Sequence, residues 1–167
     1  MKYVLDLAKS YKGDGIKLEY STFIFSGGET HIKINSNTLV NDNLVIINVR
    51  ITCANDLILL LMANNALKEL GIKEIHLQMA YLPYARQDRI CDDGEAFSLK
   101  VFTTMINACD FSSVTILDSH SDVGPALLDR CINISNIKYV EQAYNYINEI
   151  DTSEVILVSP DAGANKK

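Results

Sequence analysis

Residues 44–51, Leu-Val-Ile-Ile-Asn-Val-Arg-Ile, form a largely apolar run rich in β-branched side chains. That is the pattern of a strand buried on both faces, as in a parallel sheet. Asn55 follows as a candidate N-cap. From Asp56 to Leu70, residues Leu57, Leu60, Leu61, Ala66, Leu67 and Leu70 recur at helical spacing, and Gly71 supplies a stop. Further out, Glu74–Met79 reads as a second strand, Phe97–Ala108 as a helix and Val114–Leu117 as a third strand. Pro125–Arg130 reads as a short helix, Tyr139–Ile150 as another, and Val155–Val158 as a last strand. Strands alternating with helices in this way predict an α/β fold, an open parallel sheet with helices on both faces.

The first 43 residues differ. Tyr3–Leu7, Ile16–Tyr20, Thr22–Phe25 and Thr30–Ile34 are short strand candidates separated by Gly13-Asp14-Gly15 and by Gly27-Gly28. This spacing predicts hairpins at an edge of the main sheet. The expected organisation is one unit, with residues 1–43 a β-rich extension and residues 44–167 the α/β domain. Val155–Pro160 is followed only by Asp161-Ala162-Gly163-Ala164-Asn165-Lys166-Lys167, with no helix after the strand, so the domain is expected to be truncated there.

Composition narrows the function classes. The chain has 167 residues, a formal net charge of -6 and no Trp. With 48% hydrophobic and 22% charged residues it is globular rather than disordered. An acidic balance argues against nucleic acid or an anionic membrane as partner. The longest apolar run, Leu57–Ala63, is too short to span a bilayer, and Asp6 interrupts any signal-peptide layout at the N-terminus. A cytoplasmic protein with reduced thiols is the expectation. Cys53 and Cys109 lie in apolar stretches and are expected to pack as small hydrophobes, whereas Cys91 lies in a polar loop.

In open parallel sheets ligands collect at the carboxyl ends of strands. Three such ends carry polar residues here: Tyr81 to Arg89, Asp118-Ser119-His120-Ser121-Asp122, and Ser159-Pro160-Asp161-Ala162-Gly163. The set suits a metal-bound polyphosphate. Mg²⁺ takes oxygen ligands and needs few from protein, while Arg86 and Arg89 offer forked donors to phosphate. Residue types alone leave a second reading open, in which the arginines join a solvated network, His120 is an ordinary loop residue, and Asp118 and Asp161 are turn or cap residues.

Pro83-Tyr84-Ala85-Arg86-Gln87-Asp88-Arg89 resembles the signature of ribose-phosphate pyrophosphokinases. Asp118-Ser119-His120-Ser121 is similar to that family's Asp-Leu-His-Ser/Ala, and Val158 to Gly163 to its Ser-Pro-Asp-x-Gly strand end. Phe25-Ser26-Gly27-Gly28-Glu29 resembles its Phe-x-Asp-Gly-Glu, with Gly27 in place of Asp. The resemblance implies the first of two phosphoribosyltransferase-like domains and transfer of diphosphate from Mg-ATP to ribose 5-phosphate. Carried over by position, Arg86, Gln87 and Asp88 would bind ATP. His120, Asp118 and Asp161 would stand on the Mg²⁺ side, with Asp161 also beside the ribose phosphate. Phe25 and Glu29 would reach ATP of a neighbouring subunit, implying a homo-oligomer with a shared site. The family's basic flexible loop and its ribose-phosphate loop have no counterpart among these residues, so the 167 residues alone are expected to lack synthetase activity. The alternative is a non-catalytic nucleotide-binding relative acting in a hetero-oligomer.

Overall fold

The computed structural model describes residues 1–37, 39, 44–150 and 158. Eight strands are described: β1 (Lys2–Asp6), β2 (Ile16–Lys17), β3 (Tyr20–Ile24), β4 (Thr30–Ile34), β5 (Leu44–Val49), β6 (Glu74–Met79), β7 (Ser113–Leu117) and β8 (Cys131–Ile134). The helices are α1 (Ala54–Glu69), α2 (Ser98–Ala108), α3 (Val123–Leu127) and α4 (Ile137–Ile150). Six strands form one parallel sheet in the order β2-β1-β5-β6-β7-β8, while β3 and β4 pair antiparallel by themselves. The chain divides into two units, Met1–Ile134 and Ser135–Lys167. The sheet belongs wholly to the first. The second contains α4, whose first turn is closed by Ile137 N donating to Ser135 Oγ at 3.2 Å. The expected strand Val155–Val158 lies outside the described residues, apart from Val158.

The β5 run behaves as its composition requires. Val45, Ile46, Ile47 and Val49 are all buried, so neither face of this central strand meets water. The register sets Leu5, Ile47, Leu77 and Val114 in one row across four strands. These residues share a core with Leu60 and Leu67 of α1 and with Leu99, Phe102 and Ile106 of α2. The i, i+3, i+4, i+7 spacing of the buried α1 residues Leu60, Ala63, Asn64 and Leu67 explains its orientation on the sheet.

Two local readings are corrected. The N-cap of α1 is Cys53, not Asn55. The Asp56 carboxylate accepts from Thr52 N, Thr52 Oγ1 and Cys53 N at 2.7, 2.7 and 3.0 Å, so the acid three residues into the helix fixes the start. Cys53 is therefore exposed rather than packed as a hydrophobe, while Cys109 is buried as expected. Burial pushes the Cys109 thiol up, against the pull of the nearby Lys68 ammonium.

The N-terminal strands also differ from the hairpins that their spacing predicts. β3 and β4 do form one, with the turn at Phe25–Glu29, but β1 is an interior parallel strand between β2 and β5. Tyr3, Val4 and Leu5 are almost fully buried, which suits an interior position and not an edge. Residues 7–15 carry the chain between parallel neighbours without a helix. Asp6 makes this possible: its carboxylate accepts from Ser10 N, Tyr11 N and Asn48 Nδ2 at 3.2, 3.0 and 2.8 Å, folding the connection onto the end of β1.

Candidate functional site

The register of β6 against β7 runs from His76 beside Ser113 to Met79 beside Ile116. Their carboxyl ends are therefore neighbours, and the loops that follow leave from the same edge of the sheet. Leu117 N donates to Ala80 O at 3.2 Å across the point of departure. In the β6 loop Leu82, Pro83 and Ala85 are buried, while Tyr81, Tyr84 and Arg86 are exposed. Alternate anchoring of this kind holds the loop to the core and turns the guanidinium to solvent.

Tyr84 is the pivot of that loop. It has φ 61°, a left-handed conformation that costs a residue with a side chain roughly 1–2 kcal/mol. Gln87 N donates to Tyr84 O at 2.9 Å, closing the turn, and the Tyr84 ring lies 5.9 Å from that of Phe102. The Gln87 carbonyl accepts from Leu99 N at 3.3 Å, so the first turn of α2 holds the main chain beside Arg86.

The Gln87 amide donates to Arg89 O at 3.2 Å and to the Glu95 carboxylate at 3.4 Å. Glu95 also accepts from Cys91 N at 3.0 Å and Asp92 N at 3.4 Å. These donors hold its carboxyl below the usual range, the Cys91 N–H foremost. One acid thus organises the loop that begins at Arg89.

The β7 loop starts with Asp118, whose N–H donates to Ile134 O at 2.8 Å and whose φ is 47°. Ser119 is buried; its N–H donates to Asn133 Oδ1 at 3.2 Å and its hydroxyl to Ser121 O at 2.9 Å. Ser121 Oγ donates to Asp88 Oδ2 at 2.6 Å, joining the two loops directly. His120, between the serines, is exposed.

Exposed guanidiniums after β6 and an exposed imidazole after β7, carried on two adjoining strand ends, are suited to an anion carrying a metal ion. A sequence model of the N-terminal domain of ribose phosphate pyrophosphokinase matches residues 8–109. The chain belongs to the ribose-phosphate pyrophosphokinase family. Ribose-phosphate pyrophosphokinase from Oceanobacillus iheyensis is 32% identical over 142 residues, covering 83% of this chain and 43% of that protein. The Bacillus caldolyticus protein of the same name is 29% identical over 150 residues, covering 89% of this chain and 47% of its own length. The chain thus spans less than half the length of these curated relatives. A solved structure, the phosphoribosylpyrophosphate synthetase of Mycobacterium smegmatis, aligns with TM-score 0.68 at 20% identity over 81% of this chain and 45% of that one. That likeness carries the fold: a parallel α/β sheet.

Within this pyrophosphokinase-family domain, the structure brings Arg86, Gln87, Asp88, Asp118 and His120 to one edge. Phe25 and Glu29 belong to another element, the β3–β4 turn. There Phe25 N donates to Glu29 O at 2.8 Å, and the Phe25 ring packs against Phe23 and His31 with centroids 4.9 and 5.7 Å away. Among the described residues no hydrogen bond or ring contact links them to Arg86 or Gln87 in the same chain. A Cβ at Gly27 would stand 2.6 Å from the exposed Glu29 carboxylate, so a side chain there would turn Glu29 aside. Asp161 lies outside the described residues. Among the described residues no group of three or more His, Cys, Asp or Glu is arranged to hold a metal ion.

A concavity of about 790 Å³ opens elsewhere, lined by residues including Asp6, Lys17, Tyr20 and Leu59. The Asp6 carboxylate there is already occupied by its own loop, so the loop surface at β6 and β7 is the better candidate site. Sequence reasoning missed Glu95, Asn133 and the bond between Ser121 and Asp88. The first carries no local signal, and the other two depend on β8 and on contacts between distant segments. No helix among the described residues is long and apolar enough to cross a membrane.

Proposed function

We propose that this domain supplies the ATP-binding half of a ribose-phosphate pyrophosphokinase. In the overall reaction the 1-hydroxyl of ribose 5-phosphate loses its proton and attacks the β-phosphorus of ATP. The bond from that phosphorus to the α-phosphate oxygen breaks, giving phosphoribosyl pyrophosphate and AMP. Such transfers depend on positioning and charge neutralisation more than on covalent catalysis.

The observation that carries the reading is the exposed Arg86 on a loop pinned by its buried neighbours Leu82, Pro83 and Ala85. Its fork would hold polyphosphate oxygens, and the Gln87 amide would stand beside it. His120 and Asp118 fit the metal side: Mg²⁺ bound to nucleotide keeps water and phosphate ligands and needs only one or two from protein, so a closed cluster of three is not required. When bound, the ion would neutralise phosphate charge. Phe25 and Glu29, exposed in the β3–β4 turn, are proposed to serve the ATP of a neighbouring copy, which makes the working unit a homo-oligomer.

Calorimetric titration of Mg-ATP into wild type and Arg86→Ala tests the assignment. Loss of a charge-assisted, bidentate contact worth about 2–3 kcal/mol should weaken binding roughly 30- to 150-fold. Equal affinities would remove Arg86 from the site. Binding without any formation of phosphoribosyl pyrophosphate, even when a second phosphoribosyltransferase-like domain is present, would favour the non-catalytic relative.

A further inference from the structure

We infer that Asp88, Ser121 and Ser119 form a clasp that locks the β6 loop to the β7 loop, and that Asp88 acts through this clasp as a positioning residue rather than as a ligand. The Ser121 hydroxyl donates to Asp88 Oδ2 at 2.6 Å, the short distance of a charge-assisted O–H···O⁻ bond. Ser121 is itself held, because its carbonyl accepts the Ser119 hydroxyl at 2.9 Å. Ser119 is in turn fixed by Asn133 of β8 through its N–H and is only 5% exposed.

A second contact fastens the same two loops. Gly124, at the start of α3, has no room for a side chain: a Cβ there would lie 2.6 Å from Leu82 Cδ2 and 2.7 Å from Ser119 Oγ. The β6 loop, through Leu82, and the β7 loop, through Ser119, therefore close over Gly124. His120 sits between two anchored serines, and Arg86 lies two residues before the clasp carboxylate. Their relative placement is set by a bond between residues 33 apart in sequence. Where the family motif has Leu, Ser119 supplies the hydroxyl that orients Ser121. The departure at residue 119 is thus part of the clasp.

The affinity arm of the test rests on the nucleotide reading; the structural arm does not. In ligand-free protein, Ser121→Ala should shift backbone amide resonances of residues 86–89 as well as those of its own loop, and Ser121→Thr, which keeps the hydroxyl, should restore them. In Mg-ATP titrations Ser121→Ala should lose about tenfold in affinity. Asp88→Ala should lose a similar factor, and Asp88→Asn should recover most of that loss, because its amide oxygen still accepts from Ser121. Asp88→Asn is also the isosteric control should the alanine variants fold poorly. Shifts confined to residues 119–123 would overturn the clasp. So would an Asp88→Asn affinity as low as that of Asp88→Ala, the result expected of a charged ligand. Wild type that binds no Mg-ATP would overturn the nucleotide reading instead, leaving the resonance comparison to decide the clasp.

Discussion

The loops after β1 and β6 are both organised by a carboxylate, yet they end in opposite states. After β1 the acid is the strand's own last residue, Asp6, only 8% exposed and turned inward onto Ser10, Tyr11, Asn48 and, at 3.6 Å, Lys17. After β6 the acid is Glu95, exposed and at the far side of the loop, where it gathers Cys91, Asp92 and Gln87. The first arrangement closes a strand end upon itself. The second leaves Arg86 facing solvent. A polar strand end in a parallel sheet is thus a site only where its charges are not already matched by its own backbone.

The contrast predicts unequal responses to mutation. Asp6→Asn puts an amide group against donors that require an acceptor. It should lower unfolding free energy by about 1–2 kcal/mol in denaturant titration, by leaving part-buried N–H groups short of an acceptor. The pH dependence has a defined sign. Burial pulls the Asp6 carboxyl up, but the Asn48 amide, the Tyr11 and Ser10 N–H groups and Lys17 outweigh it, so the folded value lies below the ordinary one. Its contribution is therefore complete above the unfolded carboxylate range and is lost as pH falls through the depressed folded value. Asp6→Asn should flatten that acid limb of the stability curve; an unchanged limb would show that Asp6 does not cause it.

Gly124→Ala comes next. The added methyl must displace Leu82 and Ser119, both buried, at about 1–3 kcal/mol, and thermal melting should show a lowered Tm. A wild-type Tm would mean that the two loops are looser than their contacts suggest. The smallest effect belongs to Glu95→Gln. This fully exposed group should leave Tm almost unchanged while amide exchange at Cys91 and Asp92 accelerates at fixed pH, and in wild type the protection of those amides, measured against their intrinsic exchange rate at each pH, should fall as pH drops through the lowered Glu95 pKa.

Much of this architecture is legible in the chain itself. The runs at 44–51 and 74–79 and the leucine spacing of α1 record burial directly, because period and hydrophobicity follow from facing a core. β8 is not legible: of Cys131–Ile134 only Cys131 is half-buried, so a short edge strand exists by pairing with β7 and not by pattern. Nor does β1 announce its neighbours. Alternation and turn residues describe a strand but not the direction of its partner, and Asp6 replaces the crossover helix that would have marked a parallel connection. At the site, the positions after β6 and β7 follow from strand ends. The bond from Ser121 to Asp88 does not, since a serine and an aspartate far apart in sequence carry no common signal.

The most direct test of the account is where Mg-ATP acts on the whole domain, read from amide resonances or hydrogen exchange along the intact chain. The expected footprint covers residues 80–95 and 118–122, with residues 25–29 joining only under conditions where the chain self-associates, and leaves residues 7–15 around Asp6 unchanged. A footprint centred on residues 7–15, or none at the β6 and β7 loops under saturating Mg-ATP, would contradict it.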